Sequence, residues 1–182
     1  MTDNDKLIVA GGLLLVAGFL NFTRQGQQIS ADIGQKIVGG IMNSSENGLQ
    51  IIRDFETFSP KPYKDAGGWS IGYGHYMGAV PTMTSVTLDQ AEQMLALDAG
   101  KAEAAISKFV KVPLTQNQFD ALVSLAYNIG VNAFLRSTLL SKLNAGDYAG
   151  ASSQFSVWRM SEGKINDTLV ARRAQEQQLF NS

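Results

Sequence analysis

Glu56-Thr-Phe-Ser-Pro60-Lys-Pro62-Tyr63-Lys-Asp65-Ala-Gly67-Gly68-Trp69-Ser70-Ile71-Gly72-Tyr73-Gly74-His75 is the stretch that decides the fold. Leu49, Ile52 and Glu56 recur at intervals of three and four, which places Glu56 on the inward face at the end of a helix. The two prolines favour an extended chain up to Asp65. Gly67-Gly68 is a hairpin turn signal, and Trp69-Ser70-Ile71 has the composition of a returning strand. A helix end feeding a hairpin puts one carboxylate on each wall of a small common space, with the Ser70 hydroxyl beside them.

The chemistry of that pair follows from its surroundings. Desolvation disfavours the charged form of a carboxyl group, which is what a general acid near neutral pH requires. A second, ionised carboxylate opposite it completes the arrangement used in glycoside hydrolysis. Each residue also has an ordinary reading. Glu56 at a helix end can pair with Arg53 or with Arg172-Arg173, and Asp65 before Gly-Gly can be a turn former.

The run Glu56, Tyr63-Lys64-Asp65, Gly68, Trp69-Ser70-Ile71-Gly72-Tyr73-Gly74-His75 resembles the signature of the phage-type lysozymes or endolysins, glycoside hydrolase family 24. The likeness continues through Gln118-Phe119-Asp120-Ala121-Leu122, Tyr127-Asn128-Ile129-Gly130, Ser137-Thr138-Leu139-Leu140, Trp158 and Arg172-Arg173 with Glu176, and covers about residues 49 to 180. The resemblance implies an α+β, lysozyme-like fold in which a small β-hairpin lobe and a larger helical lobe enclose the active-site cleft. It also implies cleavage of the β-1,4 bond between N-acetylmuramic acid and N-acetylglucosamine in bacterial peptidoglycan, without a cofactor. By the match of motifs Glu56 is the acid, Asp65 the second carboxylate, and Ser70 the hydroxyl that helps hold the attacking water. Here the chain departs from the family. Four residues separate Asp65 from Ser70 where the family has five before a threonine. Because strand side chains alternate faces, a one-residue shift either leaves Ser70 in its role with altered geometry or turns it out of the cleft.

Composition narrows the alternatives. A chain of 182 residues, 45% hydrophobic, suits one domain plus an appendage. The net charge of -1 and the lack of a basic block give no footprint for nucleic acid. Residues 49 to 182 carry twelve basic and twelve acidic side chains, so attraction to the anionic wall has to come from a local patch. With no cysteine and one histidine, His75, a zinc site lacks its ligand set and no disulfide forms. His75 reads as structural support, hydrogen-bonded to a carboxylate. Trp69 and Tyr73 are candidate sugar-stacking platforms. Trp158 sits with Phe155 in a helical pattern and reads as core. Arg172 either reaches Glu56 as a support or caps the helical lobe.

The chain divides into three segments. Residues 1 to 24 hold an uncharged run from Leu7 to Leu20, which extends to seventeen residues with Asn21, Phe22 and Thr23. A span needs about 17 to 25 residues. The preceding region is not basic and no small-x-small cleavage site follows, so a retained transmembrane or signal-anchor helix is favoured over a cleaved signal peptide or a buried core helix. The resemblance adds that endolysins with uncleaved signal-anchor segments occur in this family. Residues 25 to 45 contain an amphipathic stripe, Ile29, Ile33, Ile37, Val38 and Ile41, then a polar linker. That stripe can lie on a membrane, pack on the domain, or pair with a copy of itself. Self-association would therefore run through residues 7 to 42. The catalytic domain at 46 to 182 is then held facing the cell wall, from a host inner membrane or from a virion membrane.

Beyond the hairpin, Met77 to Val86 reads as an irregular connection. Capping boxes at Thr87-Gln90 and Thr115-Gln118 start two helices, the second so apolar that it must be central. Further helices are expected at Thr138 to Ala145, Tyr148 to Trp158 and Thr168 to Phe180, the last capped by Asp167. Two other functions remain open beside the hydrolase. A lytic transglycosylase needs only the acid, and a non-catalytic wall-binding protein needs neither carboxylate.

Overall fold

The structure, a computed structural model, describes residues 42–65 and 67–182. The anchor expected at residues 1 to 24, and all of the amphipathic stripe after it, lie outside the described residues. Among the described residues no helix is long and apolar enough to cross a membrane.

Helix α1 (Glu46–Glu56) begins at Ser45, whose hydroxyl accepts from the Gly48 amide. The Ser45 amide in turn donates to Asp120 at 2.9 Å, tying the helix start to a fully buried carboxylate on a neighbouring helix. Ile51 and Ile52 face inward, and the helix stops at Thr57, where φ turns to 52°. The chain then forms a three-stranded antiparallel sheet, β1 (Ser59–Asp65), β2 (Gly68–Gly72) and β3 (His75–Gly78), in the order β1-β2-β3. The lobe is thus one strand larger than a hairpin. Met77 and Gly78 complete β3 where an irregular connection was expected.

Helix α2 (Leu88–Phe109) opens with the Thr87/Gln90 capping box and buries Ala91, Leu95, Ala99, Ala102 and Ile106 at helical spacing. It joins the sheet to the helical lobe, packing on β2 at one end and on α3 (Gln116–Ile129) at the other. Helix α3 has eight consecutive buried residues, Phe119 to Ala126, so it is enclosed on every side, as its apolar density predicted. Around it pack α1, α2, α4 (Val131–Leu135) and α7 (Asp167–Phe180). Helices α5 (Thr138–Asn144) and α6 (Tyr148–Ser153) complete the lobe with a 3-10 turn at Phe155–Val157 and a short hairpin, β4 (Met160–Ser161) and β5 (Lys164–Ile165).

Two boundaries differ from expectation. The helix predicted to reach Trp158 ends at Ser153, where Ser153 Oγ donates to the Gly150 carbonyl at 2.7 Å and Ser156 Oγ to the Ser153 carbonyl at 3.1 Å. Serine hydroxyls compete in this way for carbonyls that would continue a helix. Helix α7 is capped by Asn166, whose side chain accepts from the Leu169 amide at 3.0 Å, and Asp167 lies inside the first turn. There its charge favours the helix N-terminus instead of closing it.

Candidate active site

Glu56 is the last residue of α1, so its side chain leaves the helix toward the sheet lobe. Its Oε1 accepts from Arg172 Nη1 of α7 at 2.5 Å. The Arg53 alternative is excluded, because that guanidinium is taken by Glu46 at 2.6 Å and Glu92 at 2.9 Å. The other oxygen of Glu56 faces the β2–β3 turn. A Cβ built on Gly74 would stand 3.4 Å from Glu56 Oε2 and 3.9 Å from Tyr63 Oη. Glycine is required at 74 for its backbone as well, with φ at 89°. Glu56 keeps 20% of its side chain exposed, against 2% for Arg172. One oxygen is therefore held by a buried cation while the carboxyl as a whole still reaches solvent.

Asp65 ends β1 on the facing lobe and is exposed. Strand register decides what lies beside it. Tyr63 pairs with Ser70 and Asp65 with Gly68, so Tyr63, Asp65 and Ser70 share one face of the sheet, while Lys64 and Trp69 share the other. Ser70 Oγ donates to Asp65 Oδ2 at 3.4 Å. The missing residue has not turned Ser70 away. Pairing runs without a break from Tyr63–Ser70 to Asp65–Gly68, and the irregularities lie outside it, between Ser59 and Tyr63 along β1 and, in the pairing with β3, between Trp69 and Ser70. Ser70 is 0% exposed, however, so its hydroxyl acts on Asp65 and not on solvent. The hydroxyl expected to help hold water is thus placed against the second carboxylate.

Tyr63 stands between the two carboxylates. Burial pushes its phenol above the ordinary value, and the charges of Glu56 and Asp65 push it further. It therefore stays neutral and can donate to either side. Tyr127 on α3 is likewise pushed up, chiefly by burial and then by Glu56, and its hydroxyl donates to the Tyr73 carbonyl at 2.7 Å. A cavity of about 300 Å³ opens beside this group between Gly74, Tyr76, Asp98, Lys101, Tyr127 and Val131. It brings the sheet, α2, α3 and α4 to one cleft.

The two expected stacking platforms are not in it. Tyr73 is buried, 5.8 Å from the Phe58 ring, and its phenol is raised by burial and by Glu92, so it is a core residue. Trp69 lies on the opposite face from Asp65, with Lys64 Nζ 5.9 Å from its ring centroid. Trp158, read as core, is only partly buried and lines a second cavity of about 730 Å³ with Asn128, Met160, Asn166 and Leu169. His75 opens β3 and faces Asp98 of α2. Its Nδ1 is 2.7 Å from Asp98, whose other oxygen accepts from Lys101 at 2.6 Å.

Behind Glu56 lies a cluster that sequence reasoning did not resolve. Glu176 is 0% exposed and accepts on Oε1 from Arg172 Nε at 3.1 Å, Arg173 Nη2 at 3.0 Å and Ser124 Oγ at 2.7 Å. Burial pushes the Glu176 carboxyl up, and Arg173, Arg172 and Ser124 oppose that. Burial lowers the Arg173 guanidinium to about 10, and its Nη1 has no hydrogen-bond partner.

A family described as phage lysozyme matches residues 53–176, from α1 through α7. The chain belongs to the phage lysozyme family. Members of this family are glycoside hydrolases. An endolysin of Bacillus phage PZA is 46% identical over 78% of this chain and 56% of its own length. An endolysin of Acyrthosiphon pisum secondary endosymbiont phage 1 is 44% identical over 78% of this chain and 99% of its own. The chain thus spans about half of the first relative and all but the whole of the second. Among solved structures, the muramidase domain of SpmX from Asticaccaulis excentricus superimposes with a TM-score of 0.70 at 35% identity, covering 76% of this chain and 97% of that one. That likeness fixes the lysozyme-like α+β architecture, the two lobes and the place of the cleft.

Proposed function

We propose that this chain is an N-acetylmuramidase that hydrolyses the β-1,4 bond between N-acetylmuramic acid and N-acetylglucosamine in bacterial peptidoglycan. The observation that carries it is the asymmetric setting of the two carboxylates. Glu56 is part-buried, with Oε1 on Arg172 and Oε2 turned to the Gly74–Tyr63 side, and serves as the proton donor to the leaving oxygen. Asp65, exposed on the facing strand and supported by Ser70, serves as the ionised partner that activates water or stabilises the developing cation. Arg172 fixes the rotamer of Glu56 through Oε1 and leaves the second oxygen for the sugar. Tyr63, neutral and close enough to feel both charges, stands beside them.

Attachment to a membrane through residues 7 to 23, with the domain facing the wall, is the second part of the proposal and rests on the uncharged run alone. The test of the chemistry is mass spectrometry of peptidoglycan digested by the full chain. Muropeptides with reducing ends at muramic acid support the hydrolase. Anhydro ends would make it a lytic transglycosylase, and no products a wall-binding scaffold.

A further inference from the structure

Glu176 is a fully buried carboxylate, and no step of the mechanism above uses it. It is nevertheless one guanidinium away from the proton donor. Arg172 presents Nη1 to Glu56 at 2.5 Å and Nε to Glu176 at 3.1 Å, so the two carboxylates occupy different edges of a single planar cation. The geometry assigns Glu176 as a positioning residue for the acid, holding Arg172 in place against Glu56 and neutralising part of its charge. This rests on Glu56 being the donor, as proposed above.

Three features carry the assignment. The Glu176 oxygen that meets Arg172 also receives Ser124 Oγ and Arg173 Nη2, so three donors converge on one carboxylate oxygen and fix its position. Arg172 also donates to the Ser124 carbonyl at 3.3 Å and lies over the Phe55 ring at 5.6 Å, so it has no room to follow Glu56 elsewhere. Finally, Glu176 is the counter-charge that meets both guanidiniums behind Glu56 directly. Arg172 and Arg173 face Glu56 from α7, Tyr63 and Asp65 from β1, and Tyr127 from α3, with Asp98 of α2 behind Tyr127. Without Glu176, both buried guanidiniums lose that direct counter-charge and Arg172 keeps only Glu56 as its carboxylate partner.

Two charges on opposite edges of a guanidinium, at an effective dielectric of about 20, correspond to roughly one to two pH units. Glu176→Gln in the full chain should therefore move the basic limb of the kcat/KM–pH profile down by at least about one unit with KM little changed. Arg173→Gln should move it up. Thermal melts establish that each variant is folded. A folded Glu176→Gln protein that loses activity by the same factor at every pH overturns the assignment, because that is the signature of a merely structural role. If Glu176→Gln does not fold, the Arg173→Gln profile decides alone, an unmoved limb overturning it. Should neither fold, the carboxyl carbon resonance of Glu176 in the unmodified chain decides. An ionised group at the pH optimum supports the assignment and a protonated one ends it. Inactivity of the unmodified chain on peptidoglycan would instead point to failure of the muramidase proposal, since the resonance does not depend on turnover.

Discussion

Replacing Ser70 by alanine and by threonine separates its chemical role from its packing. The hydroxyl donates to Asp65 at 3.4 Å, which is long for a hydrogen bond to a carboxylate. Its loss should therefore cost toward the low end of the usual range, about 0.5 to 1 kcal/mol, or a roughly two- to fivefold fall in turnover. Ser70→Thr tests something else. The residue is 0% exposed, between the Tyr63 strand on one side and the Tyr76 strand on the other, and a buried methyl added to a filled site typically costs about 1 to 3 kcal/mol. In a domain of this size that cost lowers Tm by about 2 to 4 °C per kcal/mol. Steady-state cleavage of purified peptidoglycan, with thermal melts of each variant, gives both quantities. An unchanged rate for Ser70→Ala would refute support of Asp65, and an unchanged Tm for Ser70→Thr would refute the packing account.

Glu56→Gln should abolish wall cleavage with the fold retained, because the amide keeps the shape and the hydrogen bond to Arg172 but has no proton to give. A folded variant with residual turnover near that of the parent sinks the acid assignment. Asp65→Asn should lower turnover by about 100- to 10,000-fold, the usual contribution of a positioned acid or base. A loss under tenfold in the same digest would remove Asp65 from the chemistry. Gly48→Ala should destabilise the domain by about 1 to 3 kcal/mol through overpacking, since its Cβ would lie 2.7 Å from the buried Asp120 side chain, and urea titration reads the loss directly. On carbonate extraction the full chain should remain with the membrane fraction. Its recovery as soluble full-length protein would rule out the anchor.

Local periodicity made most of the helices legible. Both capping boxes form as reciprocal pairs, and the apolar density of residues 119 to 126 announced the helix that the others surround. What escaped were features set by competition over one or two bonds. The serines at 153 and 156 ended α6 early by binding carbonyls, a choice that hydrophobic pattern does not record. The third strand escaped because Met77 and Gly78 gain their partners, Trp69 among them, only once β2 is in place.

The site divides along the same line. Glu56, Asp65 and Ser70 lie within fifteen residues of one another, so a helix end and a hairpin suffice to bring them together. The orientation of Trp69 and Tyr73 was not legible, because it depends on strand phase. The unbroken β1–β2 register that sets Ser70 on the Asp65 face is the same one that leaves Trp69 beside Lys64 on the other. The charge cluster behind Glu56 was legible only as a doubt about Arg172. Its members are separated by 116 residues between Glu56 and Arg172 and by 52 between Ser124 and Glu176. Nothing in the local sequence distinguishes a surface Arg-Arg pair from one enclosed by a central helix. The distinction arises in the core. Because α3 is buried on every side, a polar residue such as Ser124 must find its partner inside, and the partners available are the inward side chains of α7. The packing that makes α3 central is thus also what commits Arg172 to the back of Glu56, so that the fold and the acid are set by one helix interface.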